Sequence, residues 1–144
     1  MDHITKLISM IERTHLQYRN AAFQHLGIKG YQYSYLIQIC RSPGISQEQL
    51  TKQIHLDKSN VARSLTQLEE NGFLTRQVDP HDQRRWQIFP TEKATAIFPE
   101  ILKTLHQQRT FLLAAFSDEE QQQLQHSLQL LYERAEELLH QVTL

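Results

Sequence analysis

From Ile4 the apolar residues recur at Ile4, Leu7, Ile8, Ile11, Tyr18 and Ala22, the three-and-four spacing that marks one face of a long helix. Gly27 and Gly30 end it. The stretch YSYLIQICRS has helical spacing again and predicts a second helix with Tyr33, Leu36, Ile37 and Cys40 inward, closed by a tight turn at Pro43-Gly44. Ser46 and Gln49 then stand at capping-box spacing, with Ile45 and Leu50 placed as a hydrophobic staple, so a short helix is expected to about Ile54. His55 and Leu56 connect it to Asp57, a good N-cap for a further helix reaching Gly72. Two helices joined by so short a turn have helix-turn-helix spacing.

After Gly72 the period changes. FLTRQV and WQIF are two runs of strand-formers, and between them DPHDQRR reads as the long loop of a β-hairpin. Thr91 caps a helix from Glu92, in which Pro99 deletes a backbone hydrogen bond and predicts a kink or local break. Ser117 and Glu120 form a second capping box. Behind it Leu124, Leu128, Leu131, Tyr132, Ala135, Leu138, Leu139 and Val142 describe a last amphipathic helix. The fold class is therefore mainly α with a small β-hairpin.

Composition narrows the classes. The 144 residues suit one domain with a real core, and 40% hydrophobic with 22% charged residues is ordinary for a globular protein. No apolar run approaches the roughly 18 residues of a membrane span, so no membrane anchor is expected. The N-terminal stretch lacks the apolar core of a secretory signal. The single cysteine, Cys40, excludes an internal disulfide, and the expected setting is cytoplasmic. The formal net charge of -1 hides an uneven distribution: residues 1–45 carry +3, residues 46–90 balance, and residues 91–144 carry -4. Without a basic domain, a nucleic-acid function has to rest on where individual cations sit.

Projected at about 100° per residue, the helix from Lys58 to Asn71 turns Val61, Leu65 and Leu68 to one side. Opposite lie Ser59, Asn60, Arg63, Thr66 and Gln67, with no carboxylate among them; Glu69 and Glu70 are kept to the far end. Such an arc suits a DNA major groove, where Arg pairs with guanine, Asn or Gln with adenine, and Ser or Thr with phosphate. In a helix-turn-helix the N-terminal half of the second helix enters that groove.

With SPGIS before this pair of helices, LEENG at its end, and then Asp79-Pro80, Asp82-Gln83-Arg84, WQIF and Pro90-Thr91, the chain resembles the MarR family (multiple antibiotic resistance regulators) of bacterial transcription regulators over nearly its whole length. Pro90 stands where the family usually has Leu, which puts the last ladder bond of the wing strand in doubt. Ala94 replaces a common Gly. The resemblance implies a single domain over residues 1–144, with a winged helix-turn-helix at 31–92 and dimerisation helices at 1–28 and 93–144. It implies that Arg84 enters a minor groove at the wing tip while Asp82 orients it, and that Arg85 meets phosphate. A narrow minor groove concentrates negative potential and attracts arginine. Ser46 and Lys58 complete the expected DNA contacts. As a homodimer with two reading helices about one DNA turn apart, the protein would recognise a pseudo-palindromic duplex.

The resemblance also implies a small aromatic or anionic effector, bound between the dimer helices and the winged module near His15, Tyr18, Arg19, Tyr33 and Tyr35. Cys40 invites a thiol-sensing role, but its place on an apolar face predicts a buried, inert thiol. The eight histidines are scattered without a His-x-x-x-His pair, so neither a metal nor another cofactor is expected. The leading expectation is a ligand-released repressor. Winged helices also serve as protein docking modules, and that alternative stays open, as does a thiol- or metal-responsive regulator of the same fold. An enzyme is not expected, because there is no glycine-rich phosphate loop, nucleophile elbow or carboxylate pair in a perturbing context.

Overall fold

The computed structural model describes residues 3–54 and 58–143. The chain divides into two compact units, Met1–Thr104 and Leu105–Leu144. The elements run α1 (His3–Phe23), α2 (Tyr33–Arg41), β1 (Ile45–Ser46), α3 (Gln47–Ile54), α4 (Lys58–Glu70), β2 (Leu74–Asp79), β3 (Asp82–Pro90), α5 (Glu92–Leu113) and α6 (Asp118–Thr143). Among the described residues no helix is long and apolar enough to cross a membrane. The expected connection at His55 and Leu56 and the N-cap at Asp57 lie outside the described residues.

Local signals set most element ends. Both capping boxes form: Ser46 and Gln49 exchange reciprocal side-chain bonds of 3.1 Å with each other's backbone N–H, and Ser117 and Glu120 do so at 3.2 Å. Ile45 and Leu50, the staple pair, are both buried. At the end of α4, Gly72 adopts φ 80° while its N–H bonds Glu69 O and the N–H of Phe73 bonds Leu68 O. That pair of bonds is a Schellman motif, and only glycine takes the left-handed position without strain. Thr91 Oγ1 accepts from the Ala94 N–H at 3.4 Å, as expected of a cap.

Four expectations change. Helix α2 buries Tyr35, Leu36, Ile37 and Ile39, whereas Tyr33 and Cys40 are only half-buried. It packs against both α3 and β3, so its inward face is broader than one periodic stripe. A two-residue strand, β1, joins the sheet in the order β1-β3-β2, all antiparallel. The expected long loop is instead a tight turn at Pro80 and His81, because β3 starts at Asp82. Val78 pairs with Trp86 and the next residue, Asp79, with Asp82, so Gln83, Arg84 and Arg85 bulge from β3 between consecutive pairs. Finally, α5 continues through Pro99 without the local break that was one of the two outcomes expected there.

Pro90 closes the ladder without loss. It pairs with Leu74, and the Thr91 N–H donates to Phe73 O at 3.1 Å just beyond. That bond makes Leu74–Pro90 a non-hydrogen-bonded pair, a position at which the missing proline N–H is not called on by β2.

In the first unit the core collects Phe23, Tyr35, Leu36, Leu50, Leu65, Leu68, Phe73, Ile88 and Ile101, each at most 1% exposed. Helix α1 contributes little to it: only Arg19 and Phe23 are buried, while Ile4, Leu7, Ile8 and Ile11 stay at least 40% exposed. In the second unit α6 has no buried residue, and Leu128, Leu131, Leu138, Leu139 and Val142 all face solvent in the single chain.

The loop after α1 is strapped to that helix. The Gly30 N–H donates to Asn20 Oδ1 at 2.6 Å, and Arg19 Nε donates to Gly30 O at 3.2 Å. A Cβ on Gly30 would lie 2.8 to 2.9 Å from Asn20 N, Asn20 Oδ1 and Leu16 O, two of which are backbone atoms that cannot swing aside. Gly30→Ala is expected to destabilise the fold by about 1–3 kcal/mol through overpacking, measured by urea denaturation. An unchanged midpoint would show that the loop does not need this close approach.

Candidate nucleic-acid interface

Helix α4 presents its faces as its periodicity requires. Val61, Leu65 and Leu68 are fully buried, and Lys58, Ser59, Asn60, Arg63, Thr66 and Gln67 are exposed. Two of the exposed groups are held by neighbours. Asn60 Oδ1 accepts from Arg63 Nη2 one turn on, and Gln67 Oε1 accepts from the Tyr31 hydroxyl at 3.1 Å. Thr66 donates its hydroxyl proton back to Ala62 O at 3.0 Å, leaving only acceptor capacity outward.

The wing joins this helix through a clamp that sequence reading missed. Arg76 of β2 donates from Nε and Nη2 to the two carboxylate oxygens of Glu69, at 3.2 and 3.0 Å. Arg76 hydrogen bonding holds the Glu69 carboxyl below the usual glutamate range. At the far end of the wing Asp82 does not contact the guanidinium of Arg84. Its Oδ1 accepts the Arg84 backbone N–H at 3.0 Å, and its Oδ2 lies 3.5 Å from Arg85 Nε. Asp82 therefore shapes the bulge and tethers Arg85, while the Arg84 side chain has no partner among the described residues.

Two clefts flank α4. One, of about 260 Å³, brings together four of the expected contacts, Ser46, Lys58, Arg84 and Arg85, and adds Gln47, Glu48, Thr51 and Trp86. Gln47 and Thr51 stand four apart on α3 and so share a face; that spacing could have been read from the sequence. The other, of about 400 Å³, is lined by Tyr31, Tyr35, Asn60, Arg63, Ser64 and Gln67.

A cationic wing beside an exposed polar helix face belongs to many winged helices, so relatives decide the family. The MarR family model matches residues 31–86. The chain is 32% identical over 122 residues to the uncharacterized HTH-type transcriptional regulator YybA of Bacillus subtilis (strain 168), covering 85% of this chain and 81% of that protein. The chain belongs to the MarR family. It is a DNA-binding transcriptional regulator and not an enzyme. Its fold is similar to the crystal structure of the transcriptional regulator SlyA, with a TM-score of 0.87 at 32% identity over 94% of this chain and 95% of that one. It is also similar to a protein of Listeria monocytogenes crystallised with 26mer DNA, with a TM-score of 0.83 at 28% identity over 93% and 89% of the two chains.

The five residues expected to hold a MarR effector differ in their surroundings. Arg19 is buried, with its guanidinium 5.0 Å from the centre of the Tyr33 ring and 3.4 Å from Glu12 Oε1. His15 is half-buried and Tyr18 exposed. Tyr35, two residues from Tyr33 and so on another side of α2, lines the cleft beside α4 instead. Cys40 is half-buried, and burial pushes its thiol pKa up, which disfavours the reactive thiolate.

The Glu69–Arg76 clamp has a pH signature. A carboxyl held below its unfolded range contributes stability above that range and loses it as pH falls through the lowered value. The stability difference between wild type and Glu69→Gln should therefore be present at neutral pH and shrink under acid. Urea midpoints collected against pH test this, and a difference that is independent of pH would remove the clamp.

Proposed function

We propose that the protein acts as a homodimeric repressor that occupies a pseudo-palindromic site in duplex DNA and is released by a small aromatic or anionic molecule. One observation carries the DNA contacts: Lys58 begins the exposed, carboxylate-free arc of α4 and also lines the cleft with Arg84 and Arg85. The arc matches major-groove chemistry, and the bulge carries an exposed Arg84 whose guanidinium is unengaged among the described residues, as a minor-groove contact requires. Arg85, tethered by Asp82, suits a phosphate. Ser59, Asn60, Arg63 and Gln67 would meet bases or backbone; Ser46, whose hydroxyl proton has no acceptor among the described residues, would meet phosphate. The DNA complex of the Listeria monocytogenes protein supports this reading by similarity.

The uncovered apolar stripes of α1 and α6 support the dimer. Ile4, Leu7, Ile8 and Ile11 of α1 and Leu128, Leu131, Leu138, Leu139 and Val142 of α6 are exposed in the single chain, and a second copy would cover them. The buried Arg19 over Tyr33, with His15 and Tyr18 on the same helix, supports an effector with anionic or aromatic character. Release requires that this molecule bind the DNA-incompetent arrangement better than the competent one. Acting on chromosomal DNA, the protein works in the cytoplasm.

In an anisotropy titration with duplex from upstream of the protein's own gene, Arg63→Ala and Arg84→Ala are each expected to cost about 1–3 kcal/mol of binding, with two chains per site and a dimer by light scattering. Wild-type affinity in both variants would end the DNA-contact proposal, and a monomer at micromolar concentration would end the dimer. Repression is read separately: deleting the chain should raise transcripts of operator-linked genes, whereas a fall would make it an activator.

A further inference from the structure

Trp86, the chain's one tryptophan, is 48% exposed on the wing. Its cross-strand partner Val78 is 44% exposed, so the hairpin leaves an apolar pair in solvent. The indole forms one wall of the cleft between the first turn of α3 and β3, with Lys58, Arg84 and Arg85 as its cations and Ser46, Gln47 and Thr51 as its neutral polar surface. The cleft's acid, Glu48, lies 3.6 Å from Lys52 and is thereby partly neutralised. The indole N–H has no hydrogen-bond partner among the described residues.

Cations alone would suffice for a free anion, and an aromatic wall would add nothing to it. A nucleic-acid backbone is different, because each anionic phosphate is followed by the largely apolar face of a deoxyribose. Cations with an aromatic wall in one cleft match that alternation. The bulge places Arg84 and Arg85 directly before Trp86, while the Val78 pair holds the indole in the ladder.

We infer that Trp86 contacts the DNA backbone, its ring packed on the deoxyribose of a nucleotide whose phosphate Lys58 and Arg85 hold. The inference rests on the DNA-contact proposal above and adds a contact that is indifferent to base sequence. It predicts a specific division of labour: the cations carry the salt dependence, and the indole adds affinity without it.

The single tryptophan makes the test direct, using the full chain and a labelled duplex. DNA should quench or shift the Trp86 emission of the wild type. Trp86→Ala should weaken operator and unrelated duplex alike, about five- to ten-fold, the scale of covering some tens of Å² of ring surface, with the salt slope unchanged. Lys58→Ala should lower that slope by about one. Trp86→Phe keeps a ring and should retain most of the binding. Two results overturn the inference while leaving the DNA proposal standing: wild type that binds duplex with unaltered emission and is matched by Trp86→Ala, or Val78→Ala weakening binding as much as Trp86→Ala, which would trace the effect to hairpin packing. Wild type that binds no duplex, or an acidic peptide that alone alters the emission, overturns both.

Discussion

The chain reversal at Gly72 is the constraint on which the interface depends. There the left-handed glycine ends α4, and Phe73, fully buried, anchors the start of the wing. Four further contacts close around the turn: the bidentate Glu69–Arg76 pair, Thr91 Oγ1 donating to Gly72 O at 2.6 Å, Lys93 Nζ donating to Asn71 O at 2.7 Å, and the same ammonium 4.3 Å from the centre of the Phe73 ring. A partly exposed ion pair adds little to stability, about 0.2–1 kcal/mol. Its weight is geometric: two parallel bonds fix a direction as well as a distance. Helix α4 and the base of the wing are thereby held in one arrangement.

A net charge of -1 is compatible with DNA binding because the relevant quantity is local. Lys58 of α4 lines one cleft with Arg84 and Arg85 of β3, 26 and 27 residues on in sequence, and the balancing acids are either engaged there, as Asp82 and Glu48 are, or placed elsewhere in the chain. The carboxylates of α6 lie in the second compact unit. At physiological ionic strength charges interact over about 8 Å, so a cluster of cations governs its own surroundings whatever the chain's total.

The apolar stripes of α1 and α6 are the counterpart of this economy. A chain of this length could have folded its helices inward around one core, yet two of its longest carry apolar residues that their own unit leaves in water. Apolar surface of that kind is costly to leave in water. The winged unit, by contrast, covers its own core through α2, α3, α4 and the sheet, and keeps its polar faces outward.

What the sequence determined by itself was everything governed by short-range rules: helix periods, both capping boxes, the glycine at the end of α4, and the carboxylate-free arc from Ser59 to Gln67. Each depends on residues within about one or two helical turns, so a linear string contains the whole cause. The tertiary structure decided what depends on a distant partner. Strand β1 exists because Ile45 meets Ile88; Arg84 rides a bulge because Trp86 pairs with Val78; Pro90 is harmless because its register places it at a non-bonded pair. Tyr33 and Tyr35 go to different neighbours because α2 is packed on more than one side, and the Arg76 clamp needs the wing folded back onto α4. Register and packing are relations between segments, and no period along one segment contains them.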